Sequence, residues 1–204
     1  MFKGKKIILW DFDGVIIDSS KIREFGFKKV LANYPSNERS ELLDYHKENG
    51  GLSRYVKFRY FFEKIRGEKA DEHKINVLAQ EFSEIMKSEL GSTKFLIPEV
   101  INFIRSNDKK YRMHIVSGSD QKELRYLCKE LGIENYFHSI NGSPVAKNEL
   151  VENLLERNNY KLEETCLIGD SINDFEAADV NEIDFFGYNN PKLKEKGLNY
   201  VEHF

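Results

Sequence analysis

Two aspartates directly follow an apolar segment near the start of the chain. The segment IILW at residues 7–10 runs into Asp11 and Asp13 within the stretch WDFDGVIIDSS. Carboxylates beside a buried strand are costly unless a partner compensates their charge. Paired carboxylates suit nucleophilic attack, proton transfer or the binding of a hard cation. The partners of these two acids must therefore come from elsewhere in the chain.

Chemically useful side chains follow several further apolar segments. They are a hydroxyl on a glycine-containing turn, a lysine at the start of a helical pattern and two more acids. In chain order these residues are Ser117, Lys147, Asp170 and Asp174. The carboxyl ends of parallel strands form one edge of a sheet, and ligands bind at that edge where the strand order reverses. The sequence therefore predicts that all six side chains converge on one site.

Short apolar segments alternate with helical patterns along most of the chain. The predicted strands lie at residues 6–10, 113–116, 137–140, 165–168 and 183–186. The predicted helices between them lie at residues 98–106, 121–131, 147–157 and 172–179. Strands that are apolar throughout are typical of a parallel sheet covered on both faces. We therefore expect an α/β fold with a Rossmann-like, three-layer core.

One long segment interrupts this alternation. Four helical patterns follow one another between the first and second predicted strands, at residues 19–33, 36–47, 53–65 and 71–89. Pro35, the Gly50 and Gly51 pair, and Gly67 separate them. The pattern predicts an all-helical cap inserted after the first strand. We expect a catalytic core of residues 1–18 and 92–204 and a cap domain of residues 19–91.

These motifs resemble the haloacid dehalogenase superfamily, in its phosphohydrolase branch with a helical cap. The resemblance covers essentially the whole chain and rests on four motifs in order, carried by Asp11 with Asp13, Ser117, Lys147, and Asp170 with Asp174. One departure is that the lysine stands in SPVAKNE and not before a proline. The resemblance implies a Mg²⁺-dependent phosphatase that acts on a small phosphorylated metabolite.

The resemblance also implies a role for each catalytic residue. Asp11 attacks phosphorus and forms an aspartyl-phosphate. Asp13 protonates the leaving alkoxide and then takes a proton from the hydrolytic water. Ser117 binds the transferring oxygens, and Lys147 offsets the charge of Asp11 and the phosphoryl group.

Metal and substrate ligands are expected in the same motifs. Asp11, Asp170 and the backbone carbonyl of Asp13 are expected to hold Mg²⁺, with Asp174 acting through water. The residues expected to bind substrate are Gly118, Ser119, Asn173, Arg54 and Lys57. The last two lie in the cap beside the Gly50 and Gly51 turn, where they could bind an anionic group.

Other conspicuous residues have structural explanations. Asp18 precedes two serines and is expected to be a helix N-cap. Helical spacing predicts a hydrophobic core of the cap formed by Tyr55, Phe58, Phe61 and Phe62. The five histidines show no spacing typical of metal binding or catalysis.

Composition excludes several classes of function. The 31 Lys and Arg residues are interspersed with 34 Asp and Glu residues, for a net charge of -3, which argues against nucleic-acid binding. A mean hydropathy of -0.57 without a long apolar segment argues against a membrane span. The two cysteines, Cys128 and Cys166, are expected to be packed thiols. We therefore expect a cytoplasmic protein.

Three alternatives remain open. A carbon-halogen hydrolase of the same superfamily would not need a second acid or a metal, so Asp13 argues against it. A phosphomutase similar to β-phosphoglucomutase would use the same residues and return the phosphoryl group to its substrate. A catalytically silent binding or scaffold protein on the same fold is disfavoured by the complete set of motifs.

Overall fold

The computed structural model describes residues 2–204, and its centre is a parallel sheet with the strand order β3-β2-β1-β4-β5. The strands are β1 Ile7–Trp10, β2 Arg112–Asp120, β3 Ser139–Ser143, β4 Thr165–Gly169 and β5 Asp184–Gly187. After β1, the chain adds β2 and β3 on one side of β1 and then crosses over to add β4 and β5 on the other side. The strand order therefore reverses beside β1, which is where a ligand site is expected.

Five helices precede β2 and four follow it within the described residues. The inserted helices are α1 Ser20–Val30, α2 Ser36–Glu48, α3 Arg54–Tyr60 and α4 Glu72–Leu90, and a π-helical turn, Phe61–Ile65, continues α3. The core helices are α5 Pro98–Asn107, α6 Gln121–Glu130, α7 Lys147–Asn158, α8 Ile172–Val180 and α9 Pro191–Glu195. No helix of residues 2–204 combines the length and the apolar character that crossing a membrane requires.

The predicted fold class is confirmed, with two differences in detail. Strand β2 continues to Asp120, so the SGSD sequence lies in an irregular strand end and not in a separate turn. The pairing register of β2 with β3 shifts between Val116 and Asp120. Helix α9 was not predicted because its five residues carry too little periodicity to distinguish it from a loop.

The sheet buries a different set of side chains on each face. Ile8, Trp10 and Ile115 belong to the larger hydrophobic cluster, which extends into the inserted helices. Ile7 and Leu9 belong to a smaller cluster with α7 and α8. Successive residues of one strand point to opposite faces, so an apolar run such as IILW serves both clusters. This burial anchors β1 and fixes the position of its carboxyl end.

The inserted helices pack around aromatic side chains. Phe58, Phe61 and Phe62 are fully buried, as predicted, and Phe58 packs against Phe27 of α1 with ring centroids 5.5 Å apart. Tyr55 packs against the same cluster, as predicted, but it is only partly buried, and its hydroxyl donates a hydrogen bond to Asp120 at 2.9 Å. The apolar interior of the insertion is therefore continuous with the larger cluster of the core, and Tyr55 adds a polar contact between the two.

The two connections between the insertion and the core run side by side. Ile17 and Leu96 form an antiparallel bridge. The amide of Asp18 donates to the carbonyl of Phe95 at 2.8 Å. The prediction that Asp18 caps α1 was wrong, because Ser19 occupies the N-cap position and Asp18 is exposed.

The predicted packing of both cysteines is confirmed. Cys128 and Cys166 are free thiols, and both are fully buried. Burial raises the pKa of each thiol to about 12, so neither carries an appreciable thiolate population at neutral pH.

Candidate active site

Three carboxylates meet at the carboxyl ends of β1 and β4. Asp11 follows β1, Asp170 follows β4 and Asp174 lies in the first turn of α8. One oxygen of each carboxylate lies within 4.8 Å of the others. The predicted convergence of these acids therefore occurs at the point where the strand order reverses.

Lys147 links two of these carboxylates. Its Nζ donates to Oδ1 of Asp11 at 2.7 Å and also to Oδ1 of Asp174. Burial alone would lower the pKa of Lys147, but the charges of Asp11 and Asp174 hold that pKa above its usual range. The ammonium group at the start of α7 is therefore a fixed positive charge beside Asp11.

One lysine does not balance three carboxylates. Burial and the charge of Asp174 raise the pKa of Asp11 to about 7, in spite of Lys147. Burial and the charge of Asp11 also raise the pKa of Asp170 well above its ordinary value. Carboxylate oxygens in such a cluster are the ligands that a small, hard divalent cation prefers. The residues present therefore fit Mg²⁺.

Glycines allow the carboxylates to approach the backbone closely. Gly14 has a φ of 77°, and a Cβ atom at this position would collide with the carboxylate of Asp170. A Cβ atom at Gly169 would collide with Asp174 in the same way. Only glycine therefore fits at these two positions, because any side chain would displace a carboxylate of the cluster.

Asp174 is held entirely by protein donors. Its Oδ2 accepts hydrogen bonds from the Ser171 amide at 3.0 Å and the Ser171 hydroxyl at 2.6 Å, while Oδ1 accepts from Lys147. The bond from the Ser171 amide belongs to a capping box at the start of α8, which the Asp174 amide completes by donating to the Ser171 hydroxyl oxygen at 3.3 Å. Asp174 therefore holds Lys147 and Ser171 in position beside Asp11.

Asp13 lies apart from this cluster and has three donors of its own. It accepts hydrogen bonds from the Ser19 hydroxyl at 2.5 Å, the Ser119 hydroxyl at 2.6 Å and Nε of Arg23 at 2.9 Å. Burial raises its pKa, but the charge of Arg23 and these hydrogen bonds outweigh burial and lower the pKa to about 2. Asp13 is therefore ionised in this conformation. Ser119, predicted to bind substrate, orients Asp13 here.

The turn at the end of β2 contacts the inserted helices. Ser117 is buried and its hydroxyl accepts a hydrogen bond from the Ser119 amide at 3.1 Å. A Cβ atom at Gly118 would collide with the carbonyl of Gly51, so the backbone of the insertion lies directly against this turn. The contact places the predicted phosphate-binding turn beneath the loop between α2 and α3.

A cavity of about 240 Å³ lies between the core and the inserted helices. Its core side is lined by Asp11, Asp13, Ser117, Gly118, Ser119 and Asp170. Its other side is lined by residues that include Arg23, His46, Arg54 and Lys57. The structure thus brings the predicted Arg54 and Lys57 to the same cavity as Asp11.

Asn173 is the predicted substrate ligand that the structure places elsewhere. It lines a neighbouring cavity of about 250 Å³ that also contains Lys147 and Glu176. Its side-chain amide donates to Glu176 at 3.3 Å. Asn173 packs against Gly51, where an added Cβ atom would lie 3.0 Å from the Asn173 Cβ, and it does not line the cavity that contains Asp11.

Sequence reasoning missed four polar residues of this region. They are Ser19, Arg23, His46 and Glu123. Glu123 of α6 is fully buried and accepts hydrogen bonds from Arg23 and Arg54, each at 2.5 Å. The signal in the sequence was a carboxylate on the buried face of α6, beside Leu124 and Leu127. Its two partners could not be identified in the same way, because they lie 100 and 69 residues away.

The fold and the site together define a parallel α/β protein with an aspartate-rich site beneath a helical insertion. Residues 8–188 match the family model of haloacid dehalogenase-like hydrolases. The chain belongs to this family. The comparison with curated proteins gives no match.

Solved structures share the fold over nearly the whole chain at low sequence identity. A variant of CbbY from Rhodobacter sphaeroides, in complex with xylulose-(1,5)bisphosphate, is similar with a TM-score of 0.77 and 16% identity, covering 98% of this chain and 94% of that chain. A predicted phosphatase from Clostridium acetobutylicum gives a TM-score of 0.76 and 18% identity, covering 97% and 93%. β-Phosphoglucomutase from Clostridium difficile gives 0.76 and 16%, covering 98% and 91%.

Proposed function

We propose that this protein is a Mg²⁺-dependent phosphatase that hydrolyses a small phosphomonoester. The observation that carries the proposal is the position of Asp11, which is buried, paired with Lys147 at 2.7 Å and open to the cavity beneath the insertion. A nucleophilic carboxylate must approach a phosphate dianion without being repelled. Lys147 and a cation at the carboxylate cluster would remove that repulsion.

Asp11 is the proposed nucleophile. It attacks phosphorus in line with the leaving oxygen and forms an aspartyl-phosphate, which water then hydrolyses. Lys147 holds the attacking carboxylate in position, and the hydroxyl of Ser117 with the backbone near Gly118 can bind the transferring oxygens. Bound Mg²⁺, held by Asp11, Asp170 and the carbonyl of Asp13, would supply positive charge to the phosphoryl oxygens.

Asp13 is the proposed proton-transfer group. As a carboxylate with three donors it is ready to accept the proton of the hydrolytic water. To protonate the leaving group in the first step it must carry a proton, so some of these contacts must be exchanged during turnover. Two of the donors, Ser19 and Arg23, lie at the start of the insertion. A movement of the insertion would therefore change the acidity of Asp13.

The insertion is the proposed cap. We assign residues 19–91 to the cap and residues 1–18 and 92–204 to the catalytic core. The cavity between them is lined by both parts, and a closing movement of the cap would exclude bulk water during phosphoryl transfer. A volume of about 240 Å³ suits a small metabolite. The bisphosphate complex described for CbbY supports a phosphorylated substrate of this size.

Phosphate release from a panel of small phosphomonoesters tests the proposal. We expect release that requires Mg²⁺, stops with EDTA and is abolished in Asp11→Asn. Asp18→Asn is the matched control, because Asp18 is an exposed acid in the same segment. Loss of activity in both variants, or release by Asp11→Asn at the wild-type rate, would refute the assignment of Asp11. The identity of the organic product distinguishes the two reactions. A free alcohol indicates hydrolysis, whereas an isomer that still carries the phosphoryl group indicates a phosphomutase.

A further inference from the structure

Ser171 lies where the insertion meets the carboxylate cluster. It is the N-cap residue of α8, and it is buried. Its hydroxyl donates a hydrogen bond to Oδ2 of Asp174 at 2.6 Å. The same hydroxyl faces the loop between α2 and α3, because a Cβ atom added to Gly51 would lie 2.6 Å from its oxygen. One hydroxyl therefore contacts both the insertion and the carboxylate cluster.

The hydrogen bond from Ser171 begins a chain of contacts that ends at Asp11. Asp174 is fully buried, and its two oxygens have separate donors. Ser171 holds Oδ2, while Oδ1 accepts from Nζ of Lys147. The same Nζ donates to Oδ1 of Asp11 at 2.7 Å. A shift of Ser171 would thus reach the proposed nucleophile through the side chains of Asp174 and Lys147.

The capping box of α8 does not by itself account for this hydroxyl bond. A capping box consists of the bond from the Asp174 amide to the Ser171 hydroxyl oxygen, at 3.3 Å, and the bond from the Ser171 amide to Oδ2, at 3.0 Å. The bond that the Ser171 hydroxyl donates is additional, and it is the shortest of the three. A serine hydroxyl has one proton, and here that proton binds the carboxylate that holds Lys147.

The loop between α2 and α3 shields this bond from water. Gly51 of the loop packs against two parts of the core. On one side, a Cβ atom on Gly118 would collide with the Gly51 carbonyl, and on the other, a Cβ atom on Gly51 would lie 3.0 Å from the Cβ of Asn173. If the loop moved away, water could reach Ser171 and compete for its hydrogen bond.

We propose that Ser171 is a positioning residue that couples the loop between α2 and α3 to Lys147 through Asp174. While the loop lies against α8, the Ser171 hydroxyl holds Asp174, and Asp174 holds the ammonium group of Lys147 beside Asp11. When the loop moves away, hydration of Ser171 loosens this hold. The nucleophile is then aligned only while the insertion covers the site. The effect on catalysis rests on the proposed phosphatase function, whereas the coupling is a property of the folded protein.

NMR of the lysine ¹³Cε atoms tests the coupling without turnover, in metal-free protein with EDTA. The Lys147 signal is identified by its absence in Lys147→Met. Ser171→Ala removes the hydroxyl without adding bulk and should shift this signal. Gly51→Ala displaces the loop from Ser171 and should also shift it. Gly50→Ala is the matched control in the same loop, because its Cβ atom would lie 3.9 Å from the Ser171 Cβ, an ordinary contact, and the signal should stay unchanged.

The double variant Gly51→Ala/Ser171→Ala determines whether the loop acts through Ser171. We expect the double variant to show the Lys147 signal of Ser171→Ala without a further shift, because the two changes interrupt one path. Additive shifts would overturn the coupling, and so would an unchanged Lys147 signal in Gly51→Ala.

Asp71→Ala controls for the loss of a helix cap. Asp71 is the exposed N-cap residue of α4, and its side chain accepts from the His73 amide at 2.9 Å. Both Asp71→Ala and Ser171→Ala should lower Tm. Only Ser171→Ala should shift the Lys147 signal and lower kcat, by about tenfold and with little change in KM, because catalytic groups tolerate little displacement. A lower Tm in Ser171→Ala with wild-type kcat and an unchanged Lys147 signal would reduce Ser171 to a helix cap.

The proposed phosphatase function can fail independently. If no ester releases phosphate but Gly51→Ala shifts the Lys147 signal only when Ser171 is present, the catalytic proposal is wrong and the coupling stands. If wild-type protein releases phosphate but the Lys147 signal is the same with and without the Ser171 hydroxyl, the coupling is wrong and the catalytic proposal stands.

Discussion

The carboxylate of Glu123 in α6 lies 2.5 Å from the guanidinium of Arg23 in α1 and joins the core to the inserted helices. The same carboxylate lies 2.5 Å from Arg54 in α3. All three side chains are buried. One core residue thus holds two helices of the insertion over the cavity that Asp11 lines.

Glu123→Gln should destabilise the protein by about 3 kcal/mol, because removing one member of a buried ion pair leaves the other charge uncompensated. A glutamine keeps one acceptor oxygen, so at least one of Arg23 and Arg54 would lose its hydrogen bond to position 123. Urea denaturation measures the change in the free energy of unfolding. Glu130→Gln, at an exposed position of the same helix, serves as the control. Equal stability of the two variants would show that the buried pairs contribute no net stability.

Lys147→Met should make the thermal stability of the protein depend more strongly on Mg²⁺. The change leaves Asp11, Asp170 and Asp174 without their lysine, so repulsion among buried carboxylates should lower the stability of the metal-free protein. We expect kcat to fall by about a hundredfold or more. Thermal unfolding with Mg²⁺ and with EDTA should show a larger difference in Tm than in wild type.

The exposed variant Lys161→Met controls for loss of a lysine side chain. An unchanged difference in Tm for Lys147→Met would contradict the role of Lys147 in balancing the carboxylate cluster.

Gly118→Ala should impair catalysis more than folding. An added Cβ atom would lie 3.1 Å from the carbonyl carbon of Gly51 and 3.2 Å from that of Leu52, and closer still to the Gly51 oxygen, so the loop between α2 and α3 would have to move. We expect kcat/KM to fall by roughly ten- to a hundredfold because catalytic groups tolerate little displacement. Gly91→Ala meets only an ordinary contact of 3.4 Å and should retain activity. Wild-type kinetics in Gly118→Ala would show that this contact is dispensable.

The stability of the protein should fall as the pH drops from 6.5 towards 4, in part because of His114. Its ring nitrogens lie 2.7 Å from the Ser139 hydroxyl and 2.9 Å from the Tyr160 hydroxyl. Burial, followed by the charges of His138 and Arg112, lowers the pKa of His114 from 6.5 to about 4. In this pH range the unfolded chain therefore binds a proton at His114 that the folded chain does not bind. The full contribution of His114 to the free energy of unfolding is reached only above pH 6.5.

Protonation of His114 in the unfolded chain should lower the free energy of unfolding by on the order of 3 kcal/mol across that range. In His114→Gln, the slope of unfolding free energy against pH should decrease by about one proton. His73→Gln, at an exposed position, should leave the slope unchanged. An identical slope in wild type and His114→Gln would contradict the lowered pKa.

The sequence was sufficient to predict how the elements are ordered and where four motifs meet. The central strands β1 and β4 are buried and largely apolar, and polar residues follow each of them at its carboxyl end, so Asp11 and Asp170 could be placed on one edge without coordinates. The helical insertion was recognisable because 70 or so residues carried helical periodicity with no strand between them.

Side-chain partnerships across the insertion could not be predicted in the same way. Arg23 and Glu123 belong to helices whose relative placement depends on packing, and Lys57 and His46 lie on different helices of the insertion. The role of Asp18 was mistaken because an Asp before two serines is a good cap locally, while the chain at that point is committed to pairing with Phe95.

The antiparallel bridge between Ile17 and Leu96 brings the two ends of a long excursion of the chain together. Bridged antiparallel residues are about 5 Å apart, a distance that a two-residue hairpin turn can span. The path of the core backbone therefore has no gap at this place. In topological terms the insertion can be shortened, enlarged or exchanged without rerouting any strand of the sheet, so substrate choice can diversify while the carboxylate cluster stays where β1 and β4 put it.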